Sequence, residues 1–139
     1  MKTINYLLII LITCISNSCK SQNTISSNKE FVHQFFMNRN VFYALKKYAD
    51  NDSISILDVD KKITTEFLTF NNNGLKISII PKKEENYDFV LKKVIINENL
   101  AFVVLWYKDS TTALCFYPFK SEYTPNSWNV EEITTRSIK

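Results

Sequence analysis

FVLKKVIINENLAFVVLWYKDSTTALCFYPF, residues 89–119, is the stretch that decides the fold. It holds three runs rich in Val, Ile, Leu and aromatic residues, at 89–96, 100–107 and 111–119, separated by Asn97-Glu98-Asn99 and Lys108-Asp109-Ser110. β-branched and aromatic side chains suit a pleated, half-buried surface, and connections this short join antiparallel neighbours, so the stretch predicts a meander. A fourth run at 127–135, reached through a longer segment containing Pro125, adds another strand. Within 100–107 both alternating sets are apolar: Leu100, Phe102, Val104 and Trp106 against Ala101, Val103, Leu105 and Tyr107. That strand is expected to be central, with both faces covered.

Working towards the N-terminus, the period changes. From Asn28 or Lys29 to Ala49 the pattern is helical, with Phe31, Phe35, Phe42, Leu45 and Tyr48 on an apolar face and Asn28 as the N-cap. Asn38-Arg39-Asn40 is placed to divide this into two helices, and Asp50-Asn51-Asp52-Ser53 is a stop signal. Residues 54–74 admit two readings. In the preferred one, Asp60 caps a helix through Phe70 with Ile63, Phe67 and Phe70 inward and Gly74 just past its end. In the other, a strand over 64–70 pairs with 75–80 across the Asn-rich turn 71–74. Either way the fold class is α+β, with N-terminal helices on a curved antiparallel sheet of about four to six strands.

The chain has 139 residues, 45% hydrophobic and 14% aromatic, enough for one domain and one core. Its first residues read as an address. Lys2 supplies a positive start, Tyr6 to Ile15 is an apolar run of ten residues, and Ser16, Asn17 and Ser18 are small or polar. A helix that short reaches about half of the roughly 30 Å hydrocarbon core, so it reads as a cleaved signal at 1–18 and not as a permanent span. Ser16-Asn17-Ser18-Cys19 resembles the lipobox of bacterial lipoproteins, with Ser16 where Leu is usual. The resemblance implies cleavage before Cys19, a diacylglycerol thioether on its sulfur, and residues 19–28 (CKSQNTISSN) as a polar tether to a domain spanning 29–139. It also implies a bacterial-envelope protein; Lys20, in place of an inner-membrane-retaining Asp, favours the outer membrane, facing the periplasm. The alternative is ordinary signal cleavage releasing a soluble protein, with a Cys19 to Cys115 disulfide as the rival use of that thiol.

The formal charge of +3 falls to +2 without residues 1–18, which carry Lys2 and no acidic residue. The Lys doublets at 46–47, 61–62, 82–83 and 92–93 are scattered among acidic residues, a pattern that disfavours nucleic acid as a partner. Helices followed by a curved sheet ending in Trp128-x-Val130-x-x-Ile133 resemble the cystatin-like group, and within it the nuclear-transport-factor-2-like domains, over about residues 29–136. The resemblance implies a cone-shaped pocket between sheet and helix, used by some members for catalysis and by many for binding, so it does not fix the function.

His33 is the only histidine and so the one candidate general base. Two residues from both Phe31 and Phe35, it faces away from them on a helix, and a solvated role is favoured over a catalytic one. Glu30 and Asp50 are the nearest carboxylates in sequence for a His33 dyad, the enzyme alternative. Cys115, within an apolar strand, reads as an inert thiol. Asp50, Asp52, Asp58 and Asp60 cluster, but 50–61 lacks the central Gly of a calcium loop and carries Lys61 where its Glu belongs, so capping and solvation account for them better. With a single Gly, a glycine-built phosphate cradle is excluded, and no metal or cofactor is expected. Tyr117, Phe119, Tyr123 and Trp128 are the candidate partner surface. The resulting expectation is a non-enzymatic module binding a protein partner or a small apolar ligand.

Overall fold

A computed structural model describes residues 25–82, 86–108 and 111–137. Helix α1 (Ile25–Met37) begins three residues ahead of Asn28, the expected cap. Phe31, Val32, Phe35 and Phe36 recur on one face of it and are fully buried. Asn38 divides the helical region as expected: its backbone is extended (φ −70°, ψ 136°), and its side chain accepts the Asn40 N–H at 2.9 Å to cap α2 (Arg39–Lys46). Val41, Ala44 and Leu45 bury the inner face of α2. The chain then turns through Asn51 and Asp52, both left-handed (φ 52° and 56°), a conformation that Asn and Asp tolerate.

Among the described residues seven strands follow: β1 (Ser53–Leu57), β2 (Leu68–Asn72), β3 (Leu75–Ile80), β4 (Phe89–Ile96), β5 (Ala101–Tyr107), β6 (Thr112–Ser121) and β7 (Thr124–Ser137). They form one curled sheet in the order β2-β3-β1-β4-β5-β6-β7. The α+β class holds, while the sheet has more strands than expected and is mixed, because β1 runs parallel to both β3 and β4. β2 runs opposite to β1 and the β2–β3 hairpin reverses the chain again, so β3, lying between them, is parallel to β1. Parallel neighbours ordinarily need a long return connection. β4 instead begins beside the last residues of β1, where β3 also ends, and overlaps β1 only at Ile56–Phe89 and Leu57–Val90. Asp88 seals that junction, accepting the Ser55 N–H at 2.7 Å and donating its own N–H to the Ser55 carbonyl at 2.9 Å.

The helix preferred for 60–70 does not form. β2 and β3 make an antiparallel hairpin closed by Asn73-Gly74, with φ of 49° and 86°. Two positive φ values in a two-residue Asn-Gly loop are the signature of a type I′ turn, whose twist matches that of the flanking strands. Gly74 therefore serves a hairpin, not a helix end. Phe67, expected inward, is 61% exposed, and β2 starts at Leu68, later than the 64–70 strand of the alternative reading. Thr64 and Thr65 are poor helix formers, and the backbone N–H groups of Lys62, Ile63 and Thr64 are taken by Asp58.

The two helices lie on the concave face, where the core forms. Phe35 meets Phe116 edge-on at 5.2 Å, Phe36 stacks on Phe70 at 5.2 Å, and Phe31 meets Trp128 edge-on at 4.9 Å. Three amide side chains fasten helix to sheet. Gln34 accepts the Trp128 N–H at 2.7 Å and donates to the Asn126 carbonyl at 3.0 Å. Asn40 donates to the Val130 carbonyl. Buried Asn72 donates to the Phe36 carbonyl (3.0 Å), which the end of α1 leaves without a helical partner, and to the Asn38 carbonyl (3.4 Å), which also accepts the Phe42 N–H at 3.0 Å.

β5 is interior to the sheet, yet its two faces differ. Ala101, Val103 and Leu105 are buried under the helices, whereas Phe102, Val104 and Trp106 on the outer face are half-buried. The outer side chains shield one another: Phe102 lies 5.0 Å from Tyr117, and the Lys92 ammonium sits 4.5 Å above the Trp106 ring. Among the described residues only self-shielding covers that face, so within them the expectation of two covered faces holds for one.

Candidate functional site

Asp58 is fully buried at the end of β1. Its carboxylate accepts the backbone N–H groups of Lys62 (2.8 Å), Ile63 (2.8 Å) and Thr64 (3.2 Å), while its own N–H donates to the Ile80 carbonyl at 2.8 Å. One side chain thus folds the loop between β1 and β2 into a fixed wall. Thr64 continues it: its Oγ1 accepts the Glu66 N–H at 3.0 Å and donates to the Glu66 carbonyl at 2.9 Å, a local Ser/Thr turn. Asp60 pairs with Lys62, and this hydrogen bond, reinforced by the Lys62 charge, holds the exposed Asp60 carboxyl below its usual value. Asp52 pairs with Lys46. Loop anchoring and ion pairs account for Asp52, Asp58 and Asp60, and Asp50 is exposed.

Between this wall and α1 lies a cleft of about 540 Å³. α1 contributes Lys29, Val32 and His33, the loop contributes Lys61, Lys62, Ile63, Thr64, Thr65 and Glu66, and β2 contributes Leu68 and Phe70. Val32, Ile63, Leu68 and Phe70 form an apolar floor, and the lysines, His33 and Glu66 form a polar rim. Lys29 and His33 are four residues apart, one helical turn, so both reach the same side of α1. The His33 ring stands edge-on to Phe70 with centroids 6.2 Å apart. Among the described residues His33 makes no hydrogen bond.

Neither carboxylate near His33 in sequence joins it. Glu30 accepts a hydrogen bond from Gln34 Nε2 at 3.1 Å, and Asp50 lies exposed in the turn before β1. Glu66 is the carboxylate that shares the cleft with His33, and the connection is invisible in sequence because thirty-odd residues and a strand separate them.

The aromatic residues singled out as a partner surface separate in the structure. Tyr117 and Phe119 line a shallow groove of about 360 Å³ with Leu100, Pro118 and Glu131 on the outer side. Tyr123 projects from the β6–β7 turn, 94% exposed. Trp128 is 7% exposed and belongs to the core, with the Lys120 ammonium 5.0 Å from its ring. Cys115 is a free, buried thiol. Cys19 lies outside the described residues, and no described helix is long and apolar enough to cross a membrane. No family model, curated protein or solved structure matches the chain.

Proposed function

We propose that the chain is a membrane-anchored bacterial lipoprotein, attached through Cys19 to the outer membrane and facing the periplasm, whose domain is a non-enzymatic binding module. Its ligand is a small apolar or amphiphilic molecule held in the cleft between α1, the Asp58-anchored loop and β2. The observation that carries this reading is the cleft itself. A volume of about 540 Å³ is within the range of small-molecule sites, and an apolar floor with a few polar groups at the rim is the composition by which such sites bury a ligand and orient it. Binding requires only that shape. Catalysis would further require His33 to engage Glu66, and the two are not hydrogen-bonded to each other. The proposed kinship with nuclear-transport-factor-2-like domains agrees with two helices lying in the hollow of a curled sheet.

The test is photolabelling of the full chain in membranes of an expressing bacterium with diazirine-bearing oleyl alcohol, read by peptide mass spectrometry. Label is expected on peptides covering residues 29–37 and 61–70, and Thr65→Trp, which places an indole in the cleft from an exposed position, should suppress it. Label confined to residues 100–119 would move the site to the Leu100, Tyr117 and Phe119 groove and overturn the cleft reading. Turnover of any substrate lost in His33→Ala would establish the enzyme class instead.

A further inference from the structure

The rim of the cleft is not neutral. Lys62 is already paired with Asp60, but Lys29 and Lys61 are exposed and make no ion pair among the described residues. They approach from opposite walls, Lys29 from α1 and Lys61 from the loop, and His33 shares the α1 wall with Lys29. Glu66 is the one carboxylate among the described lining residues. Two unpaired cations above an apolar floor, outnumbering the single carboxylate, form a site with a preferred ligand polarity. We infer that the cleft takes an anionic amphiphile: an acyl chain lies on Val32, Ile63, Leu68 and Phe70 while its carboxylate or phosphate is held by Lys29 and Lys61. This rests on the cleft reading above and specifies the ligand of that same site.

Covalent geometry adds a source for such a ligand. From Cys19 to Ile25, the first residue of α1, the chain makes six steps, at most about 22 Å when fully extended. Lys29 is four residues further, about 6 Å along the helix. If Cys19 is anchored in a leaflet, the lysine at the mouth of the cleft stays within about 28 Å of it. Acidic phospholipids of that membrane and free fatty acids share the required chemistry, and the experiment separates them.

Membranes carrying the full chain are photolabelled in parallel with diazirine-bearing oleic acid, oleyl alcohol, phosphatidylglycerol and phosphatidylcholine, and label on residues 61–70 is quantified. The acid is expected to exceed the alcohol by about threefold to tenfold, the range that two solvent-exposed charge contacts supply. Lys29→Glu combined with Lys61→Glu should abolish that preference, whereas Lys93→Glu on the outer sheet face should leave it intact. Phosphatidylglycerol labelling above phosphatidylcholine supports the inference with a bilayer lipid as ligand, and labelling by the free acid alone supports it with a soluble one. Equal cleft labelling by acid and alcohol would overturn the anionic head group while leaving the cleft reading standing. Absence of cleft label from every probe would overturn both.

Discussion

Replacing Asp58 with Ala is the sharpest perturbation of the scaffold that builds the cleft. The substitution removes the acceptor of three backbone N–H groups, at 2.8, 2.8 and 3.2 Å. Hydrogen bonds to a charged group contribute about 1.5–3 kcal/mol each, so three represent an upper bound well above the net effect. Lys62, Ile63 and Thr64 are half-buried, so their amides can turn partly to water once released, which reduces the loss to about 2–4 kcal/mol. For a folded portion of this size that lowers Tm by roughly 8–15 °C. Asp58→Asn keeps one acceptor oxygen and should lose about half as much. Thermal unfolding followed by circular dichroism gives the stabilities, and hydrogen exchange should show faster exchange concentrated at 61–66. A Tm for Asp58→Ala within about 2 °C of the unmodified chain would refute the anchoring role, because three bonds to a buried carboxylate cannot be lost at so small a cost.

Gly74→Ala should lower stability by about 1 kcal/mol in denaturant titration. An added Cβ at Gly74 meets nothing within 4 Å, so the whole loss comes from the φ of +86°, and Gly74→Asn should be milder. Asn72→Leu leaves the buried Phe36 carbonyl without its side-chain donor, while the Asn38 carbonyl keeps the Phe42 N–H, and about 1–3 kcal/mol should be lost by the same titration. Intact mass spectrometry of the chain extracted from bacterial membranes should show a mature N-terminus at Cys19 bearing a diacylglyceryl group, and a free thiol there would remove the anchor.

What the sequence disclosed, and what it withheld, follows from the range of the forces involved. The runs behind β4 to β7 announce themselves because each strand pairs with its neighbour in sequence across a polar connection, and their observed bounds differ from the expected ones by a few residues. The split of the helices at Asn38 was equally local, a capping side chain acting on a residue two positions away. β1 to β3 were harder. An Asn-Gly turn after a Thr- and Phe-rich segment fits a helix end as well as a hairpin until the partner of Leu68–Asn72 is known. Parallel pairing of β1 leaves no local trace, since it depends on β3 sliding between β1 and β2. The cleft is illegible for the same reason: Lys29 and His33 belong to one segment, Lys61 to Phe70 to another, and the second meets the first through the buried Asp58, which anchors the loop, and through Phe36–Phe70 stacking. Asp58 looks like its exposed neighbours in sequence, because burial leaves no mark in a run of carboxylates.

The central claim, that the cleft beneath α1 is where a ligand sits, is tested most directly by methyl NMR of the Ile-, Leu- and Val-labelled chain titrated with oleate. Progressive shifts at the methyl groups of Val32, Ile63 and Leu68, with Val104 and Leu100 on the outer face unmoved, are predicted. Shifts at Val104 and Leu100 with Val32 and Ile63 silent would contradict it.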